Sequence, residues 1–280
     1  MRNLALFILL LPSCSLVFSG EMSGDGGGST TGGNDVDDTG NGLPTLNCDT
    51  DDGSDFLRKF DFSEGVDELE GECELDGGVC DPIMLIDSEL EECGTALKLT
   101  TNMPAIESTH TDDLLVDNMR LDARIKLGEQ EERRHGIVSK DASGTDEPGH
   151  WGLYQVQDMQ GQFRLVTRIQ NQPESVFFCS LPLDPEVWHV VQLRIGLEGV
   201  ELLVDNEKEE ASLDINFPGA IIGECNNPRD FVFPTLKENT QDISIGRDRE
   251  LFGDTNKPYG ATFEPANGLL IDYIYLSEIE

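Results

Sequence analysis

Gly136-Ile137-Val138-Ser139-Lys140, Trp151-Gly152-Leu153-Tyr154-Gln155-Val156 and Gln162-Phe163-Arg164-Leu165-Val166-Thr167 follow one another with little more than turn residues between them. Each run is short and rich in aromatic and β-branched side chains, the composition of a strand rather than a helix. The pattern continues through Trp188-His189-Val190-Val191-Gln192-Leu193, Leu202 to Asn206 and Ile243 to Asp248, and closes with Asn267 to Tyr275. Short strands at such spacing predict an antiparallel sandwich.

Periodicity sharpens the reading. In Asn118 to Leu127 the apolar Met119, Leu121, Ala123, Ile125 and Leu127 alternate with Arg120, Asp122, Arg124 and Lys126. Phe163, Leu165, Thr167 and Ile169 stand in the same way against Gln162, Arg164 and Arg168. Period two with one polar set predicts one core face and one wet face. Leu269 to Leu276 is apolar at nearly every position, which suits a central strand covered on both sides. Phe56 to Phe62 is expected to be the first strand. No stretch has a sustained helical period, and no internal repeat is visible.

The 280 residues are 38% hydrophobic, enough for one large all-β core. Lys and Arg number 19 against 55 Asp and Glu, a formal net charge of −36. Nucleic acid is excluded as a partner, because phosphate binding needs clustered cations, and direct docking on anionic lipid is disfavoured by the same field. A solvated acidic surface is one use of this charge and divalent cation binding another.

Residues 1–19 read as an export signal: Met1-Arg2-Asn3 supplies the charge and Leu4 to Leu11 the apolar run. That run is too short to anchor a chain across a bilayer. Two processing routes stay open, cleavage after Val17-Phe18-Ser19, or a lipobox at Leu11-Pro12-Ser13-Cys14 that would lipidate Cys14. Pro12 departs from the usual small residue of a lipobox. Residues 20–47 are Gly, Ser, Thr, Asn and Asp with almost nothing apolar, the composition of a disordered tether with a reach of about 30 Å. Six further cysteines, Cys48, Cys73, Cys80, Cys93, Cys179 and Cys225, suit disulfides in an oxidising compartment. The expected pairing joins Cys179 with Cys225 and keeps the earlier four among themselves. Zinc is poorly supported, since no Cys-x-x-Cys pair occurs. The folded domain is placed at 48–280, with an acidic, disulfide-rich excursion at about 63–94 that includes a short strand at Ile83 to Ile86.

Taken in order, the strand motifs from Gly136 to Tyr275 resemble the laminin-G-like jelly-roll domain of the concanavalin A-like lectin and glucanase superfamily. The resemblance covers roughly 96–280 and extends back to Phe56. It implies an antiparallel two-sheet jelly-roll β-sandwich. It also implies that Trp188 is buried between the sheets and that His189 is a structural histidine. Asp205-Asn206 stands where the family carries a hairpin turn.

Site candidates follow. Asp49, Asp51, Asp52 and Asp55 surround Gly53 with the oxygen density Ca²⁺ prefers, against the plainer reading of an acidic turn. Relatives often hold a structural Ca²⁺ through the aspartate of the final strand, which maps to Asp272. A carboxylate amid apolar neighbours needs a partner, and metal, backbone or tyrosine would each serve. Trp151, Tyr154 and Tyr259 are the candidate aromatic platform for a sugar. No catalytic residues are assigned. Acidic residues do not alternate along one strand as in glycan-cleaving relatives, and no nucleophile elbow occurs. The chain reads as an exported module, bacterial surface lipoprotein or secreted, that recognises a glycan or extracellular protein without catalysis, aided by Ca²⁺. The alternatives are a structural or adhesive envelope lipoprotein and a glycoside hydrolase or polysaccharide lyase.

Overall fold

A computed structural model of the chain describes residues 56–62, 71–72, 82–90, 93–100, 103, 105–129, 135–140, 148–170, 176–196, 199–205, 207–208, 225, 236, 238–246, 248–249, 262–263 and 267–279. Its strands are β1 (Phe56–Asp61), β2 (Gly71–Glu72), β3 (Met84–Asp87), β4 (Thr95–Lys98), β5 (Ala105–Ser108), β6 (Met119–Lys126), β7 (His135–Lys140), β8 (His150–Gln157) and β9 (Phe163–Gln170). They continue with β10 (Val176–Cys179), β11 (Trp188–Gly196), β12 (Gly199–Val204), β13 (Glu207–Lys208), β14 (Ile243–Ile245), β15 (Asp248–Arg249), β16 (Thr262–Phe263) and β17 (Leu270–Glu278). The described residues include one complete 3-10 turn, Asp112–Leu114.

Two antiparallel sheets carry the fold. The first runs β13-β12-β11-β6-β17-β4-β3, with β1 also paired to β17; the second runs β10-β9-β8-β7-β14-β5-β2. β15 and β16 form a separate two-stranded ribbon, with β15 beside β7 and β8. Sequence neighbours such as β6 and β7 lie in different sheets, so the chain crosses between layers as a jelly roll does. Between the sheets lies one core, to which β6 gives Leu121, Ala123 and Ile125, β9 gives Leu165 and Ile169, β11 gives Val191, Leu193 and Ile195, and β17 gives Ile271, Ile274 and Leu276. The alternation seen in the sequence chooses these residues. The last strand is central, held by β6 on one side and by β1 and β4 on the other.

Two expectations change. The polar sets of β6 and β9 are dry at their centres: Asp122, Arg124, Arg164 and Arg168 are buried, while Arg120 and Lys126 are half-buried and Gln162 is exposed. Partners make this tolerable, as Arg164 shows by donating to Asp158 at 2.9 Å and to the Ser180 carbonyl at 2.9 Å. The segment read as a surface excursion supplies edge strands to both sheets, β2 beside β5 and β3 beside β4. At the β12–β13 turn Asp205 adopts the left-handed conformation, at φ 52°.

One polar residue is built into the core side of β8. Gln155 is fully buried, accepts from Gly128 N at 3.0 Å and donates to Gly128 O at 3.2 Å, satisfying the backbone where β6 leaves its sheet. Gly128 is required there. A Cβ would stand 2.5 Å from Leu269 N and 2.8 Å from Asn267 O, both backbone atoms that have no room to move.

Candidate functional site

Trp188 faces outward. Val191, Leu193 and Ile195 fix the phase of β11 by entering the core, which leaves Trp188, Val190, Gln192 and Arg194 on the outer face of the eight-stranded sheet. This corrects the expectation that Trp188 lies between the sheets; its neighbour His189 takes the inward position instead. Register sets Trp188 opposite Lys126, Val190 opposite Arg124 and Gln192 opposite Asp122. The Arg124 guanidinium lies 4.3 Å from the centroid of the half-buried indole, a cation–π contact.

The final strand aims Asp272 at this arginine. Ile271 pairs with Ile125 and Tyr273 with Arg124, so Asp272 is the extra residue of a bulge. Ile271 and Ile274 thereby both reach the core, and Asp272 forms a buried ion pair with Arg124. Arginine is thus one partner that this buried carboxylate takes. Among the described residues no three His, Cys, Asp or Glu side chains gather as a metal site. Among the described residues, three buried oxygens of the same face find no hydrogen-bond partner: Asp272 Oδ1, Tyr273 OH and Gln192 Oε1. An orphan of this kind costs about 1–3 kcal/mol. Burial and the nearby Asp122 charge push the Tyr273 phenol up to about 12, against the opposing pull of Arg124.

Around the stack, every cation of β1, β6 and β11 holds a carboxylate. The pairs are Arg58–Asp113 at 2.9 Å, Lys59–Asp61 at 3.6 Å, Arg120–Asp122 at 2.6 Å, Arg124–Asp272, Lys126–Glu89 at 3.1 Å and Arg194–Glu201 at 3.7 Å. Glu89 belongs to the β3–β4 loop, whose tip is closed by Ser88 N to Gly94 O at 2.9 Å. The Lys126 hydrogen bond is the main force holding the Glu89 carboxyl below its usual range, with the Trp188 indole adding to it. Leu90 and Cys93 of that loop pack on Tyr273 and Tyr275, whose rings stack at 4.7 Å.

The sequence candidates fall elsewhere. Trp151 is 3% exposed in the main core, and Tyr154 is fully buried on the outer side of the second sheet against Val156, Val166, Phe177, Cys179 and Cys225. Neither ring offers a face to a ligand; both are committed to packing. The edge of Trp151 does reach a cavity of about 90 Å³ at one end of the sandwich, with Lys140, Asp117 and Glu238 on its walls. That volume holds a few waters and is too small for a sugar ring. Tyr259, Asp49, Asp51, Asp52, Asp55, Cys14, Cys48, Cys73 and Cys80 lie outside the described residues. Cys179 and Cys225 are joined, with Cα atoms 5.8 Å apart, and Cys93 is also disulfide-bonded.

His189 is structural. Its Nδ1 lies 2.6 Å from Asp205 Oδ2 and its Nε2 2.8 Å from the Asp184 carbonyl, both of them acceptors. Both nitrogens must therefore carry protons for both bonds to form. Burial lowers the imidazole pKa, but Asp205 and Asp184 raise it and prevail. Asp205 also accepts from Val190 N at 2.9 Å.

Comparison with known proteins adds little to this geometry. No known family and no curated protein matches the sequence. Among solved structures, domain 4 of an extracellular GH43 arabinanase from Geobacillus stearothermophilus, in complex with arabinotriose, superposes with a TM-score of 0.47 at 12% identity, over 80% of this chain and 93% of that one. Tailspike protein 2 of an Escherichia coli O157:H7 bacteriophage gives 0.44 at 12%, over 76% and 28%. The Ruminococcus gnavus IT-sialidase CBM40 bound to α2,3 sialyllactose gives 0.36 at 11%, over 63% and 91%. At these scores the likeness carries nothing about ligand or activity. The fold rests on its own strand pairing: the chain is an antiparallel jelly-roll sandwich that presents a Trp188–Arg124–Asp272 stack on one outer face.

Proposed function

We propose that the folded body is an extracellular, non-catalytic recognition module of the laminin-G-like class, and that its ligand is a glycan bound on the outer face of the eight-stranded sheet. The observation that carries the reading is the placement of Trp188. A large ring held outside the core and backed by an arginine that is itself pinned by Asp272 is a rigid stacking platform. Disulfides at Cys93 and Cys179–Cys225 support the exported location, whether secreted or lipid-anchored through Cys14. The Ca²⁺ proposal keeps Asp49, Asp51, Asp52 and Asp55, with Asp272, paired to Arg124, as the candidate of the final strand. The test is incubation of the full chain with soluble and immobilised polysaccharides. Saturable retention with no release of reducing ends or unsaturated sugars supports the reading. Release of either product would show an enzyme, and loss of neither binding nor turnover in Trp188→Ala would remove the platform from the account.

A further inference from the structure

Beyond the glycan reading, and independently of it, we infer that the loop joining β10 to β11 frames a second site, which takes one branched or aromatic side chain from a basic peptide segment of a partner protein. A cavity of about 170 Å³ lies here, on the side of β11 opposite Trp188, where His189 turns inward. Leu202 and Val204 of β12 close it from within, and the exposed Leu181, Pro182, Asp184 and Asp205 mark its mouth. Polar groups deeper in the lining are already satisfied. Ser180 Oγ donates to the Leu181 carbonyl at 2.7 Å and accepts from Leu165 N at 2.9 Å, while His189 directs both ring nitrogens to Asp205 and Asp184. A sugar would find no hydrogen-bond partners there, so the occupant is apolar. An apolar cavity of about 150 Å³ holds a benzene-sized group, which sets the scale at one leucine, isoleucine or phenylalanine side chain.

Surface and charge around the mouth point to a peptide. Five large apolar side chains are exposed among the described residues, and two of them, Leu181 at 42% and Val187 at 45%, belong to this one loop. A ring-sized small molecule would leave Val187 wet, whereas a chain crossing the mouth would cover it. Nearby cations are matched: Arg164, which donates to the Ser180 carbonyl, holds Asp158 at 2.9 Å, and His189 holds Asp205 at 2.6 Å. Asp184 and Glu186 pair with no cation among the described residues; Asp184 Oδ1 accepts from Glu186 N at 2.9 Å. Lysine or arginine beside the anchoring side chain would complement both carboxylates. A second copy of this chain, with a net charge of −36, would bring like charge to the same mouth.

Fluorescence anisotropy of labelled pentapeptides with the full chain tests this. The probes carry two lysines on each side of a central phenylalanine, leucine or alanine, with a glutamate-flanked phenylalanine peptide beside them. The lysine peptides centred on phenylalanine or leucine are expected to bind about tenfold or more tightly than the alanine one, the gain from burying one such side chain. Val204→Phe, which fills the cavity, should erase that preference; if it fails to fold, Leu181→Asn at the exposed rim should reduce it. Asp184→Asn with Glu186→Gln should weaken every lysine peptide and lower its salt sensitivity, the asparagine keeping an oxygen for Glu186 N. No binding, equal affinity for the phenylalanine and alanine peptides, or a preference untouched by Val204→Phe and Leu181→Asn would overturn the site. Equal binding of the glutamate-flanked peptide would overturn the basic partner, and dimerisation of the chain in sedimentation, lost in Leu181→Asn, would assign the cavity to a second copy instead.

Discussion

At the scale of single residues, two buried charges make opposite demands. Asp272 and Arg124 are paired beneath Trp188, so removing one partner strands the other. Asp272→Ala is expected to cost about 3–5 kcal/mol in chemical denaturation. The double replacement Arg124→Met with Asp272→Leu should recover most of that loss, because an apolar pair needs no desolvation. His189 titrates the other way. Its folded pKa is raised above the unfolded value, so the stabilisation from the imidazolium is fully present below about pH 6.5 and is lost as pH rises through the folded pKa. His189→Gln should therefore flatten the stability–pH profile above pH 6.5 while lowering stability in acid. An unchanged slope in that variant would mean that the Asp205 and Asp184 contacts do not require the second proton.

At the scale of elements, connections that cross between strands set the stability. Cys179 and Cys225 are separated by 46 residues, and closing a loop of that length constrains the unfolded chain by roughly 4 kcal/mol. Replacing both with serine should lower the unfolding free energy by about 2–5 kcal/mol without altering the strand signal in circular dichroism. Gly128→Ala should be as damaging despite adding one methyl group, because it pushes the Asn267–Leu269 backbone away from the end of β6. The core strands were legible in advance because period two reports directly which side chains meet the opposite sheet, as Leu121–Ala123–Ile125 and Val191–Leu193–Ile195 show. The outward sets were not legible. Alternation says that Arg124 and Arg168 leave the core, but burial on the far side depends on what packs there from distant sequence. Short edge strands such as β2 and β10 escaped notice for a related reason, since two to four residues carry no period. Trp188 was misplaced because a tryptophan opening an apolar strand looks like core; the phase of Val191, Leu193 and Ile195 was the available signal that it points out.

At the scale of the whole molecule, the chain sets a large negative charge around a sandwich whose central outer face is balanced pair by pair. Such a field repels polyanions, and the proposed ligand would meet the ring of Trp188 on this face. The chain has only two tryptophans, Trp151 in the core and Trp188 outside it, so fluorescence can separate the structural ring from the proposed binding ring. The most direct measurement is tryptophan emission of the full chain during titration with mixed-linkage β-glucan and with galactomannan, in wild type and in Trp188→Phe. A saturable change in wild type that disappears in Trp188→Phe, whose folded signal from Trp151 persists, is the predicted result. A saturable change that survives in Trp188→Phe, or glycan retention without any change in emission, would contradict the assignment of Trp188 as the recognition platform.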